Sequence, residues 1–150
     1  MITYRSYKTN DENEISTLIR RSLVQVIGKD YSEYVIKCMV DYFSPEAVKE
    51  LALKRDILVA LDESKIVGVA SLENDTVYTV CIDPPYLCKG IGKELMRQLE
   101  ELAKKRGITS LKVPSSIMAV EFYQKLGYSK DKDLQIQHGS LTVNMTKNLN

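Results

Sequence analysis

The sequence has little of what metal centres and disulfide frameworks need. Its 150 residues include one histidine, His138, and three cysteines, Cys38, Cys81 and Cys88, without a C-x-x-C spacing. One histidine excludes a multi-histidine metal centre, and an odd number of scattered cysteines favours reduced thiols over disulfides. A serine hydrolase of the G-x-S-x-G type is also excluded, because no such segment occurs. We therefore expect no metal site.

The sequence also lacks an excess of charge of either sign and any long apolar run. Lysine and arginine number 21 and aspartate and glutamate 20, so there is no electrostatic reason to expect nucleic acid or an anionic membrane as a partner. No apolar stretch approaches the ~18–20 residues of a membrane span, and the first residues lack the apolar core of a signal peptide. We expect one cytoplasmic domain over residues 1–150.

The first third of the chain is mainly helical in its pattern. Alternation over residues 2–8 predicts a short strand. Asp11, with Glu14 three residues later, resembles a capping box and predicts a helix start. Ser32 begins a second helical stretch. Ser44-Pro45 begins a third, because proline is well tolerated at the first helical position.

The pattern then becomes strand-like. Three runs, at residues 57–61, Lys65–Glu73 and Thr76–Ile82, are separated by short polar turns, which predicts an antiparallel meander. A long amphipathic helix follows. On its outer face Glu100 precedes Lys104 by four residues, a spacing that predicts an ion pair on the helix surface.

The rest of the chain predicts a strand at 109–113, a helix and closing strands at 128–132 and 141–147. Because a helix connects the strand Thr76–Ile82 to the strand at 109–113, these two strands should be parallel. We therefore expect an α+β fold, in which helices flank a mixed, mainly antiparallel sheet with one parallel β-α-β unit.

The connection between Thr76–Ile82 and the long helix contains the glycines Gly90 and Gly92. Glycine permits close approach of a ligand to the main chain, and the first N–H groups of a helix are unpaired and partly positive. This combination predicts an anion site, most often for a phosphate. A dinucleotide fingerprint would need a third glycine where Leu95 stands, and G-x-x-x-x-G-K-[ST] is absent. The Rossmann and P-loop interpretations both fail.

Two segments together resemble one known family. The first is V-C-I-D-P-P-Y-L-C-K-G-I-G-K-E-L-M at residues 80–96. The second is A-V-E-F-Y-Q-K-L-G-Y at residues 119–128. The first resembles the acetyl-CoA-binding motif of the GNAT superfamily of N-acetyltransferases, and the second resembles its A-x-x-F-Y-x-x-x-G-[FY] segment. Their spacing, with one long helix and one strand between them, is also that of the family.

The resemblance implies a binding site for acetyl-CoA. The pyrophosphate would rest on main-chain N–H groups of the loop at residues 87–93, and the pantetheine arm would pair with the strand edge. Tyr123 would be the general acid for the departing thiolate, and the amide of Cys81 would be the oxyanion donor. The implied cofactor-binding residues are Val80, Cys81, Ile82, Leu87, Cys88, Lys89, Gly90, Ile91, Gly92, Lys93, Ser115, Ser116 and Tyr123.

The chain departs from the family pattern at several positions. Leu87 stands where glutamine or arginine is usual, and Cys88 where glycine is frequent. Ser116, beside Ser115, stands where asparagine is frequent; their hydroxyls could bond the pantetheine arm or cap the helix. The catalytic glutamate of some relatives corresponds to Thr76. Glu73 is therefore only a weak candidate for the base, and a water relay or an amine that arrives neutral would make a dedicated base unnecessary.

Several residues keep two interpretations. Tyr123 could be a core residue, Cys88 a low-pKa thiol or a small loop residue, and His138 an exposed turn residue or part of the acceptor mouth. Tyrosines 31, 34 and 42 could line an acceptor pocket or pack between helices.

The leading hypothesis is transfer of an acetyl group from acetyl-CoA to a primary amine by direct attack in a ternary complex. The resemblance also suggests a homodimer. The alternatives are a non-catalytic acyl-CoA-binding domain and an unrelated α+β interaction domain. The expected acceptor is an amine-bearing small molecule or peptide.

Overall fold

A seven-stranded sheet organises the protein. The computed structural model describes residues 1–27, 32–137 and 140–149. The strands are β1 (Ile2–Ser6), β2 (Asp56–Asp62), β3 (Lys65–Glu73), β4 (Thr76–Ile82), β5 (Ser110–Ser115), β6 (Ser129–Gln137) and β7 (Ser140–Asn148). Their order in the sheet is β1-β2-β3-β4-β5-β7-β6. Among the strands of these described residues, β4 and β5 are the one parallel pair. The expected mixed, mainly antiparallel α+β fold is confirmed.

In the part of the chain that the structure describes, five α-helices flank the sheet. They are α1 (Glu12–Ser22), α2 (Glu33–Tyr42), α3 (Pro45–Leu51), α4 (Ile91–Lys105) and α5 (Val120–Lys125). The α1 helix continues into a π-helical turn, Leu23–Ile27, and 3₁₀ turns occupy Pro84–Tyr86 and Ile117–Ala119. The predicted starts of α2 and α3 are confirmed, since the Ser32 and Ser44 hydroxyls accept hydrogen bonds from Val35 and Ala47 amides.

Hydrophobic cores cover both faces of the sheet. Strand β2 shows how alternation produces them, because successive side chains point to opposite faces. Ile57 and Val59 pack with α1 residues, whereas Leu58 and Ala60 pack with the buried face of α4. Strand β4 also lies between the two packed layers, because Val77 belongs to the core beside α4 and Cys81 to the core beside α1.

The meander was predicted closely, and the closing strands less so. Strands β3 and β4 have the predicted bounds, and their antiparallel pairing is confirmed. The sequence predicted that this strand ends at residue 113, before a helix, whereas β5 continues through Pro114 to Ser115. Strands β6 and β7 form a longer hairpin than predicted.

The predicted capping box at α1 is wrong. Asp11 does precede the helix, but its carboxylate accepts bonds from the Arg5 guanidinium at 2.7 and 3.2 Å and from the Lys8 amide at 2.8 Å. Glu14 instead accepts from the amide of Ile66 at 2.7 Å. Both carboxylates bind partners in or beside the sheet, and these partners could not be read from the local sequence.

The predicted pair of Glu100 with Lys104 is also wrong. Glu100 faces inward and accepts bonds from Tyr128 and Lys147, at 2.8 and 2.9 Å. Lys104 pairs with Glu101 at 3.6 Å.

His138, Tyr31 and Gly28, which the sequence predicts as the end of the first helix, lie outside the described residues, so these predictions stay predictions. Tyr34 is exposed, and the ring of Tyr42 packs edge-on against Phe43. Within the described part of the chain, no helix is long and apolar enough to cross a membrane.

Candidate active site

A cleft of about 640 Å³ opens between β4 and β5. These parallel strands meet at one register pair, Thr76 with Lys112, and the amide of Lys112 donates to the carbonyl of Asp75 at 2.9 Å. Beyond that point the strands diverge. The N-terminus of α4 and the side of α5 close the opening.

A bulge in β4 accompanies this divergence. Between the pairs Ser71–Tyr78 and Val69–Cys81, two residues of β4 oppose one residue of β3. Thr79 lies at the bulge with φ of 54°, the left-handed region that side chains rarely adopt. A bulge bends its strand and increases its twist. The bend in β4 therefore helps to separate it from β5.

The backbone of β4 presents hydrogen-bonding groups to the cleft. The amide of Asp83 donates to the carbonyl of Val67 at 2.8 Å. Since ladder bonds recur at every second residue, Cys81, which lies opposite Val69, also directs its amide toward β3. The amides of Val80 and Ile82 are left on the cleft side. This alternation does not favour the predicted oxyanion donor, the Cys81 amide, and favours that of Val80 instead.

Tyr123 lies on α5 at the inner end of the cleft. Its ring is 5% exposed and packs edge-on against Phe122, with centroids 5.0 Å apart, and against Tyr128, at 5.8 Å. Burial raises the pKa of Tyr123 well above its ordinary value, and the neighbouring Cys81 raises it further. The phenol is therefore protonated at neutral pH, which is the form of a proton donor.

Cys81 faces the same end of the cleft from β4. Burial raises the pKa of its thiol to about 11, although a hydrogen bond with Ser22 acts in the opposite direction. At neutral pH this thiol is protonated and a poor nucleophile. Cys81 is therefore unsuited to carry a covalent acyl group.

The loop before α4 forms the outer end of the cleft. Cys88 and Gly90 have φ angles of 61° and 82°, and Gly90 is the residue that precedes the helix. The amides of the first helical turn have no partner within the helix and face the opening. Tyr86 braces this loop, because its hydroxyl donates to Asp62 at 2.6 Å. This end of the cleft has the electrostatics of an anion site.

Most predicted site residues meet at the cleft. Those that line it are Val80, Cys81, Ile82, Leu87, Cys88, Gly90, Ile91, Gly92, Lys93, Ser116 and Tyr123. Leu87 is 42% exposed, so its side chain forms part of the rim.

Three predicted residues lie elsewhere. Glu73 binds Arg55 at the far end of β3, with Oε1 2.9 Å from Nε. Ser115 is buried in β5, where its hydroxyl donates to the carbonyl of Ser116 at 2.7 Å. Lys89 lies on the outer side of the loop, 5.6 Å from the ring centroid of Tyr86. Ser116 makes no side-chain cap bond, so its hydroxyl remains available to the cleft.

Sequence reasoning missed several cleft residues. Ser22 reaches the cleft from α1 and Lys125 from the end of α5. Phe122 also lines it, and the A-x-x-F-Y segment was the available signal for that residue. No local signal marked Ser22, because only the packing of α1 on the sheet brings it there.

The residues present suit acetyl-CoA. A strand edge with free amides suits the amides of pantetheine, and the α4 N-terminus suits the pyrophosphate. A side-chain atom at Gly92 would come within 3.1 Å of Phe122 Cζ, so glycine keeps room at this contact. Among the described residues, no group of three or more His, Cys, Asp or Glu side chains could hold a metal ion.

Comparisons with known proteins agree with this geometry. The model of a protein family described as "Acetyltransferase (GNAT) domain" matches residues 27–149. A Bacillus subtilis (strain 168) protein named "Uncharacterized protein YyaT" is 38% identical over 92 residues, which are 61% of this chain and 59% of that protein. The match therefore covers less than two thirds of that relative's length.

Two solved structures are similar over nearly the whole chain. A GCN5-related N-acetyltransferase titled "Aminotransferase, Class-II", from Rhodopseudomonas palustris, has a TM-score of 0.89 at 26% identity and covers 97% of this chain and 94% of its own. PaiA N-acetyltransferase from Thermoplasma acidophilum, solved in complex with coenzyme A, has a TM-score of 0.83 at 23% identity and covers 99% of each chain. At 23% identity, the similarity to the PaiA structure shows a shared fold.

Proposed function

The chain belongs to the GNAT family of acetyltransferases, and on that premise we propose that it transfers an acetyl group from acetyl-CoA to a primary amine. The observation that carries the proposal is the cleft between β4 and β5. It combines a strand edge with free amides, a helix N-terminus and a buried, protonated tyrosine. These groups match the three parts of a thioester donor: the pantetheine arm, the pyrophosphate and the leaving thiolate.

In the proposed reaction the amine attacks the thioester carbonyl directly. A C–N bond forms, the C–S bond breaks and the amine loses a proton. The cleft-facing amide of Val80 would stabilise the oxyanion, and Tyr123 would give its proton to the departing sulfur and then be reprotonated from water. Cys81 takes no covalent part, because its raised pKa of about 11 keeps the thiol protonated. Orientation supplies the rest of the rate enhancement.

The proton of the amine needs another acceptor. Among the described residues that line the cleft, none is aspartate, glutamate or histidine. We therefore propose that the amine substrate enters the cleft in its neutral form or passes its proton to water. The neutral form of the amine is more abundant as pH rises, so the rate should increase with pH up to the pKa of the amine. A cytoplasmic location and a homodimer belong to the same proposal.

Two observations favour a second function. No aspartate, glutamate or histidine lies among the described residues that line the cleft, and Leu87 stands where the family pattern has glutamine or arginine. The protein could bind acyl-CoA as a sensor without turning it over. The retained tyrosine argues against this alternative, since binding alone does not need a buried proton donor.

An acceptor screen separates the two functions. The purified chain is incubated with acetyl-CoA and amines of different classes (polyamines, amino acids, aminoglycosides and peptides), and release of the CoA thiol is followed. We expect turnover with one class and a loss of ~10²-fold or more in kcat for Tyr123→Phe. Full activity of Tyr123→Phe would remove the general-acid assignment. Tight acetyl-CoA binding without turnover by any amine would favour the sensor.

A further inference from the structure

The ring of Tyr123 is supported from behind by Tyr128. The two rings pack edge-on, with centroids 5.8 Å apart at 72°, and the Tyr128 amide donates to the Tyr123 carbonyl at 3.0 Å. Tyr128 is 3% exposed and is not one of the residues that line the cleft. It can therefore affect a bound substrate only through the residues between them.

Tyr128 is itself held by two charged side chains. Its hydroxyl donates to Glu100 Oε2 at 2.8 Å, and Lys147 Nζ donates to Glu100 Oε1 at 2.9 Å. Lys147 Nζ also lies 5.6 Å from the centroid of the Tyr128 ring. The Glu100 and Lys147 side chains are only 13% and 27% exposed, so solvent screens this pair less than a surface ion pair. Side chains from α4 and β7 thus fix one ring at the end of α5.

An edge-on ring pair has a restricted geometry, since the edge of one ring must meet the face of the other. If the Tyr128 ring tilts, the Tyr123 ring loses the surface against which it packs. Phe122 also packs edge-on against Tyr123, with ring centroids 5.0 Å apart, but it lines the open cleft and cannot replace a fixed support.

We propose that Tyr128, anchored by Glu100 and Lys147, is a positioning residue that sets the direction of the Tyr123 hydroxyl in the cleft. This inference rests on the proposed role of Tyr123 as the proton donor. It adds a buried tyrosine, a carboxylate and a lysine outside the cleft to the residues on which the reaction depends. The proton transfer needs a well-aligned donor, so a small change of ring direction should lower kcat without changing donor affinity.

The first test is kinetic. Tyr128→Phe removes the anchored hydroxyl and keeps the ring, whereas Tyr128→Leu removes both. We expect kcat to fall ~10-fold in the first variant and ~10²-fold in the second, while the KM for acetyl-CoA stays within about twofold. Tyr7→Phe is the matched control, because the Tyr7 hydroxyl donates to Glu12 at 2.6 Å at the edge of the sheet. It should lower the urea midpoint similarly and leave kcat unchanged.

The second test is a double-mutant cycle. In a Tyr123→Phe background, Tyr128→Phe should cost no further activity, because the hydroxyl that it positions is already absent. An additive loss, a change confined to KM, or an equal loss of kcat in Tyr7→Phe would overturn the proposal.

A third readout does not depend on activity. In protein with ¹³C-labelled tyrosine rings, the Tyr123 signals, identified by their absence in Tyr123→Phe, should shift in Tyr128→Phe and Glu100→Gln but not in Tyr7→Phe. Unchanged Tyr123 signals would overturn the positioning role even if activity fell. Shifted signals together with full activity of Tyr123→Phe would uphold the ring contact and remove only the general-acid role.

Discussion

Cys88 and Gly90 both have left-handed backbone angles, and only one of them is glycine. The φ angles are 61° and 82°. For a residue with a Cβ this conformation costs about 1–2 kcal/mol, because the Cβ approaches the following carbonyl oxygen. The resemblance to the family motif predicts glycine at the position of Cys88, and glycine adopts this conformation without that cost. The exposed side chain of Cys88 offsets none of this strain by burial.

Exchanging the residue types at these two positions should therefore have opposite effects. We expect Cys88→Gly to raise the free energy of unfolding by up to about 1 kcal/mol, and Gly90→Ala to lower it by about 1 kcal/mol. An added Cβ at Gly90 has no atom within 4 Å, so any loss there is purely conformational. Urea unfolding at constant pH measures both changes. A destabilised Cys88→Gly variant would show that the loop relaxes in another way.

Residue partners across the fold were the least predictable feature. Asp11 and Glu100 were assigned partners within their own helices, because sequence spacing reports only local neighbours. In the structure Asp11 binds Arg5, whereas Glu100 binds Tyr128 and Lys147. The sequence predicts Tyr123 as a site residue because its neighbours form the A-x-x-F-Y segment. The partner that orients it has no such signal, although Tyr128 belongs to the same segment.

At the scale of elements, strands and helices were predicted well where the pattern was strong. Strands β3 and β4 have the bounds set by the polar turns that separate the predicted runs, and the basic end of α4 follows its apolar stripe. The bulge at Thr79 was not predicted. It depends on how β4 aligns with β3, and the sequence of β4 alone does not specify that register. The direction of the Cys81 amide likewise follows from the pairing of Cys81 with Val69, which the sequence of β4 does not specify, and its role as oxyanion donor stays a prediction.

Helices α4 and α5 meet where Gly92 contacts Phe122, directly at the cleft. In Gly92→Ala the new Cβ would lie 3.1 Å from Phe122 Cζ, so the ring must shift. Since alanine also favours the helix by up to ~1 kcal/mol, we expect little change in stability and a ~10-fold loss of CoA affinity. Adding Phe122→Leu should restore much of the affinity, because the smaller side chain makes room for the methyl group.

Gly107→Ala is the contrasting variant for this contact. Gly107 follows α4 with φ of 77°, and a Cβ added there would meet no atom within 4 Å. Its substitution should lower stability by about 1 kcal/mol and leave CoA affinity unchanged. Calorimetric titration of Gly92→Ala and Gly107→Ala measures their CoA affinity, and urea unfolding of the same two variants measures their stability. Equal losses of affinity in Gly92→Ala and Gly107→Ala would contradict the role assigned to the Gly92–Phe122 contact.

At the scale of the whole molecule, stability should fall at alkaline pH. Burial raises the pKa of Cys81 to about 11, and burial also raises the pKa values of Tyr123 and Tyr128. In the unfolded chain these groups ionise near pH 8.5 for cysteine and ~10 for tyrosine. Above pH ~8.5 the folded protein therefore binds more protons than the unfolded chain, and its free energy of unfolding decreases as pH rises.

Urea unfolding between pH 7 and 11 checks this dependence. Cys81→Ala should flatten the decline between pH ~8.5 and ~10, because the thiol is the first of these groups to ionise in the unfolded chain. The tyrosines should still produce a decline above pH ~10. An identical decline between pH 8.5 and 10 in the wild type and Cys81→Ala would show that the Cys81 thiol is not the cause.

The central claim is that the cleft between β4 and β5 holds acetyl-CoA, and calorimetric titration of the full chain with acetyl-CoA tests it most directly. We expect one site per chain, with a dissociation constant on the order of 1 μM to 1 mM, as is usual for enzyme substrates. In Gly90→Leu the affinity should fall at least ~10-fold, since a bulky side chain would crowd the main chain that the pyrophosphate approaches. Absence of binding at millimolar acetyl-CoA, or equal affinity in Gly90→Leu, would contradict the account.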